Sequence, residues 1–177
     1  TSLALNNVVL SNNYANSAGA GMAIWDTDPS LSMTNCSVIN NINGSGLFLI
    51  NTSTTLSDCN ISNNAAGEAV AGGIKLEGTG TLTITNSTIS GNSVTGLGGG
   101  IAISDASSLE IIKSTLSGNS STDIGGAIAS LGDGTTVTIT NSTISGNTSN
   151  VTGGGLRIEG AATINNSTIA NNHSDND

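Results

Sequence analysis

Leu82-Thr83-Ile84-Thr85-Asn86-Ser87-Thr88-Ile89-Ser90-Gly91-Asn92 decides the fold. Leu82, Ile84 and Ile89 are the apolar positions of a pattern that reads apolar-x-apolar-x-Asn-Ser-Thr-apolar-x-x-Asn. Successive side chains of a strand point to opposite sides, so alternation of this kind predicts short strands with one buried face. The same unit returns from Val137 to Asn147, and degenerate copies fall in register with it.

A second motif follows each unit, a small-residue pair or triplet and then apolar-x-apolar. It appears at Gly21-Met22-Ala23-Ile24, Gly46-Leu47-Phe48-Leu49, Gly73-Ile74-Lys75-Leu76, Gly100-Ile101-Ala102-Ile103, Ala127-Ile128-Ala129-Ser130 and Gly155-Leu156-Arg157-Ile158. The closing asparagines are Asn13, Asn41, Asn64, Asn92, Asn119, Asn147 and Asn172, spaced by 28, 23, 28, 27, 28 and 25 residues. A period in this range signals stacked repeats.

The columns assign the interior. Two residues before the first Asn they read Leu5, Met33, Leu56, Ile84, Ile111, Ile139 and Ile164; three after it they read Leu10, Val38, Ile61, Ile89, Leu116, Ile144 and Ile169. Like stacks on like when coils repeat at the strand spacing of roughly 4.8 Å. A leucine-rich repeat has a similar period, but it needs a helix or similar segment on its convex side. Here the remaining third of each coil is Gly, Ser, Thr and β-type alternation. The expectation is an all-β, right-handed, single-stranded parallel β-helix over residues 1–177, with about seven coils of roughly 23–28 residues and three short strands each.

Composition agrees and narrows the function. Charged residues are 8% of the chain and aromatics 2%, with a single proline, and the net charge is -9. The three basic residues, Lys75, Lys113 and Arg157, cannot neutralise a phosphate backbone, which argues against nucleic acid and anionic membranes as partners. No apolar run approaches the roughly 20 residues that span a bilayer as a helix.

The Asn columns are expected to turn inward at each bend and to bond to backbone groups and to their counterparts one coil away. The closing Asn ladder is therefore a structural feature rather than a site. In the first Asn column, Asp58 and Lys113 stand where Asn7, Asn35, Asn86, Asn141 and Asn166 stand in other coils. Lys113 has no acceptor, which predicts a local irregularity there.

The alternation of Gly125-Gly126-Ala127-Ile128 with Ile144-Ser145-Gly146-Asn147 resembles the repeat of chlamydial-type polymorphic outer-membrane proteins, over essentially the whole chain. That family usually shows Phe in the apolar-x-x-Asn motif, where this sequence has Ile, Leu or Val. The resemblance implies an extracellular or outer-surface β-helical passenger of adhesin type, a scaffold with no catalytic residues to transfer. Its expected partner is a protein or glycan at a cell surface.

Other classes are weighed on residues. A polysaccharide-active enzyme of pectin-lyase type needs paired carboxylates or a base poised beside them. The three cations lie on different coils or columns, and His173 stands alone near the C-terminus. Asp26, Asp28, Glu77, Asp105, Asp133 and Glu159 follow the Gly-led strands and would stack as an acidic ridge. That ridge is a candidate for weakly bound Ca²⁺ through oxygen ligands; turns that favour Asp explain it equally, and no cofactor is otherwise implied.

Trp25, Phe48 and Ile50 are expected to form an outward apolar patch at the N-terminal end, a candidate protein contact or sugar platform. Thr81, Thr83 and Thr85 match Thr136, Thr138 and Thr140 in an array that suggests ice binding, but Ser108, Glu110 and Ile112 interrupt it. Cys36 and Cys59 share an inward column on adjacent coils and read as a disulfide or as two buried thiols. The Asn-x-Ser/Thr sequons, Asn86-Ser87-Thr88 among them, read as by-products of the repeat. The chain shows no recognisable cap, so it is expected to be a segment of a longer protein or a filament subunit that stacks on copies of itself end to end.

Overall fold

Apolar residues at alternate positions, Thr and Ile of high strand propensity between them, and Asn or Gly at the bends give short strands joined by tight corners. The computed structural model describes residues 2–25, 29–67 and 71–176. Each strand pairs in parallel with its counterpart one coil earlier or later, so the chain winds as a β-helix.

The long face has seven strands, Ser2–Asn6, Ser30–Thr34, Ser53–Ser57, Thr81–Thr85, Ser108–Ile112, Thr136–Thr140 and Ala161–Asn165. The short face has seven three-residue strands, Val9–Ser11, Ser37–Ile39, Asn60–Ser62, Thr88–Ser90, Thr115–Ser117, Thr143–Ser145 and Thr168–Ala170. The glycine face has six, Gly19–Trp25, Ser45–Ile50, Ile74–Glu77, Ile101–Ser104, Ile128–Leu131 and Leu156–Ile158. Six complete turns and a seventh rung result.

The expected three strands per coil become four from the third coil onward. Ala65–Ala66, Ser93–Val94, Ser120–Ser121, Thr148–Ser149 and His173–Ser174 form a narrow fourth face just after each closing Asn. In the first two coils its place is held by single bridges from Tyr14 to Ile42 and from Ile42 to Ala65. Two residues are too few to leave a periodic signal.

The inward columns make one continuous core. Met33, Leu56, Ile84, Ile111 and Ile139 on the long face meet Val38, Ile61, Ile89, Leu116 and Ile144 on the short face, all fully buried. Burying such a side chain is worth about 1.5–3 kcal/mol, and each interior rung contributes several, whereas Ile164 and Ile169 of the last rung, expected inward, are 40% and 44% exposed. The glycine face is covered on its outer side as well at its middle rungs. Ala102 and Ala129 point away from the main core yet are buried beneath Leu97 and Ile124, carried by loops that fold back over them.

The two Asn columns differ. Asn7, Asn35, Asp58, Asn86, Lys113, Asn141 and Asn166 are exposed corner residues with φ between 49° and 57°. Asn tolerates this left-handed conformation better than most residues, so φ, not an interior ladder, selects the first column. Lys113 adopts the same conformation at φ 49°, and its amide donates to the Thr140 carbonyl at 3.1 Å as that of Asn86 does to Ile112 at 3.1 Å. The expected irregularity is absent because the corner asks only for a positive φ and an outward side chain. A second positive-φ column precedes each closing Asn: Asn12, Asn40, Asn63, Gly91, Gly118, Gly146 and Asn171.

Candidate functional site

The closing asparagines build the interior ladder. The amide and Nδ2 of Asn92 both donate to Oδ1 of Asn119, at 3.0 and 2.9 Å, and Nδ2 also donates to the Ile61 carbonyl at 2.9 Å. The same triad recurs at Asn41, Asn64, Asn119 and Asn147, all fully buried. Asn13 donates to Asn41 at the first rung, and Asn172 accepts from Asn147 at the last.

The glycine motif is the other half of this contact. A Cβ on Gly46, Gly73, Gly100 or Gly155 would lie 2.9, 3.2, 3.3 or 3.0 Å from the amide of Asn64, Asn92, Asn119 or Asn172. The small residue at the start of each glycine-face strand is there because the ladder lies against it.

A second ladder runs through the Ser of Asn-Ser-Thr. Amides of Cys59, Ser87, Ser114 and Ser142 donate to the hydroxyls of Ser87, Ser114, Ser142 and Ser167 at 3.0–3.1 Å. Cys36 and Cys59 occupy this column as free, buried thiols that donate to the carbonyls of Thr34 and Ser57 at 3.2 Å. They are not joined as a disulfide. Burial pushes the Cys59 thiol above its usual value.

The acidic residues lie apart, at the turns that leave the glycine face. Asp105 accepts from the amide of Gly78 at 3.0 Å and Glu159 from that of Gly132 at 2.7 Å, so each caps the turn one coil before it. Asn51 caps in the other direction, accepting at 3.1 Å from the amide of Thr79 one coil after it. Glu77 pairs instead with Lys75, Asp133 is exposed, and Asp26 and Asp28 lie outside the described residues. Among the described residues no three His, Cys, Asp or Glu converge as a metal site would need.

Two of the three cations are paired along their own strands, Lys75 with Glu77 and Arg157 with Glu159. Lys113 extends from the exposed corner, and His173 pairs with Asp175 at 3.1 Å in the solvent. The titratable groups are thus spread along the rod, not gathered in one place.

Two of the three aromatic residues are gathered. Trp25 is 65% exposed, whereas Phe48 is only 9% exposed and Ile50 half-buried. The rings of Trp25 and Phe48 meet edge to face, with centroids 5.9 Å apart and planes at 74°. The Lys75 ammonium lies 4.8 Å from the centre of the Phe48 ring, a favourable cation–π placement. The patch expected from sequence is therefore one protruding indole on a covered base. Lys75 was not foreseen beside it, although its place in the column next to Phe48 follows from the repeat register. The third aromatic, Tyr14, lies apart, exposed beside Ile42 on the narrow-face side, with its hydroxyl donating to Asn16 at 2.7 Å.

No curated protein and no solved structure matches the chain. A family model described as a right-handed β-helix region matches residues 5–176, which supplies the hand of the coil. With that model covering nearly every rung of the ladder, the chain belongs to the right-handed β-helix family.

Proposed function

We propose that this chain is a non-catalytic β-helical scaffold of adhesin type, displayed outside the cell, whose work is to present a rigid surface to a partner. The observation that carries this reading is where the polar chemistry goes. The buried asparagines and the serines of the Asn-Ser-Thr column are engaged in ladders, Asp105 and Glu159 cap turns, and two of three cations sit in ion pairs with a residue two positions on. Catalysis on a polysaccharide calls for acid and base groups brought together on one substrate, and the described residues spread theirs along the rod.

The right-handed β-helix family includes pectate lyase-like enzymes as well as non-enzymes, so membership alone does not decide between them. The resemblance of the repeat to chlamydial-type polymorphic outer-membrane proteins favours the scaffold. So does the outer surface of the long face. Apart from Glu110 it offers small or uncharged side chains at its outward positions, such as Ser32, Thr55, Thr83 and Thr138 in register.

The test is retention without turnover. Purified chain coupled to beads is challenged with immobilised glycans and extracellular-matrix proteins, and in parallel with soluble pectate, xylan and glucan. The scaffold reading predicts saturable retention on at least one surface, with no new reducing ends and no unsaturated products. Sustained product release, first order in the chain, would overturn it.

A further inference from the structure

We infer that Trp25 is the stacking platform of a binding site for a neutral glycan, with the Lys75–Glu77 ion pair as its polar wall. This rests on the adhesin-type reading and names the ligand class for it. The chain has a single tryptophan, and it is the most exposed large apolar side chain among the described residues. Phe48 packs against the indole in an edge-to-face contact with centroids 5.9 Å apart, and the indole stays 65% exposed above it. An indole so seated loses little freedom on binding.

Glu77 shares an outward column with Trp25, with Ile50 between them. Two strand spacings separate their backbones by roughly 10 Å along the axis. Two pyranose rings of an extended glycan span a similar length. One ring presents its apolar C–H face to the indole, and hydroxyls of the other reach Glu77, whose side chain is 32% exposed. The carboxylate accepts from those hydroxyls, and the Lys75 ammonium donates while staying seated over Phe48.

The dimensions favour a sugar over a protein. A stable protein interface takes about 800 Å² from each partner, whereas one indole supplies about 150–250 Å² and Phe48 beneath it is already covered. A small platform with a few placed polar groups suits a small or linear ligand. The net charge of -9 repels anionic sugars at long range, leaving the neutral ones.

Because Trp25 is the single tryptophan, emission excited selectively from tryptophan, without Tyr14, reports on this site alone. The full chain is titrated with neutral hexasaccharides of β-1,4-glucan, β-1,4-mannan and β-1,3-glucan, with retention on the matching polymers followed by affinity electrophoresis. A saturable emission change is expected with at least one of them. Retention should fall by at least about tenfold in Trp25→Ala and survive largely in Trp25→Phe, with both variants melting as the parent does. Glu77→Ala should weaken retention several-fold. No emission change across the panel, or retention undiminished in Trp25→Ala, overturns the site. If Trp25→Ala still adheres to the surfaces that hold the parent, the site falls while the adhesin reading stands; if the parent adheres to nothing, both fall.

Discussion

Oδ1 of Asn119 accepts two hydrogen bonds from Asn92, one from its amide at 3.0 Å and one from its Nδ2 at 2.9 Å, across the space between coils. The amide that opens one bend is thus satisfied by a side chain of the next coil. No strand ladder reaches that amide, so the asparagine is part of the backbone bonding of the fold.

Asn119→Ala strands the amide and Nδ2 of Asn92 and leaves the Ile89 carbonyl without its donor. A buried orphan costs about 1–3 kcal/mol, so the variant should lose at least about 3 kcal/mol in urea unfolding. Asn141→Ala, on the exposed corner, should lose only about 1 kcal/mol, the cost of a positive φ on an ordinary residue. Equal losses at the two positions would mean that the columns do the same job.

Thr54 stands in an inward column between Leu31 and Leu82, fully buried, and its hydroxyl has no partner. Thr54→Val replaces that hydroxyl with a methyl of similar size and should stabilise the chain by about 1–2 kcal/mol. A lower melting temperature for the variant would show that the hydroxyl is satisfied after all.

Lys113 holds φ 49° where neighbouring coils hold Asn. Lys113→Asn should therefore gain about 1 kcal/mol, and Lys113→Val should lose stability because a β-branched residue resists this conformation. Thermal unfolding of the pair reads the difference directly.

Burial raises the Cys59 thiol above its ordinary value of about 9.0. A folded value above the unfolded one means that the native state holds its proton more tightly. The stability this supplies is complete below pH 9 and is lost as pH rises through the folded value. Melting curves at pH 8 and above pH 10 should separate more for the parent than for Cys59→Ser, which keeps the hydroxyl ladder of Ser87, Ser114 and Ser142 and removes the thiol.

The coil, the inward columns and the closing asparagines were legible because each repeats with like residues at a fixed offset, as in Ile84, Ile111 and Ile139. The narrow face was not, since pairs such as Ser93–Val94 are shorter than one period of alternation. The corner residues misled for a different reason. Asn86 and Asn92 are the same residue type in the same unit, and only φ and burial, neither written in sequence spacing, separate an exposed bend from a buried ladder. Phe48 was expected exposed because it alternates with Leu47 and Leu49; it does point outward, but Trp25 and Lys75 lie against its ring. At such positions the period gives direction and not exposure.

The central claim is that side chains of one coil complete the backbone of the next, and amide hydrogen exchange tests it most directly. The amides of Asn41, Asn64, Asn92, Asn119 and Asn147 lie at bends and donate to Oδ1 of the following rung. They should exchange as slowly as the strand amides of Ile89 and Ile111, with protection set by global unfolding. Rapid exchange at these five bends, with the neighbouring strands still protected, would contradict the account.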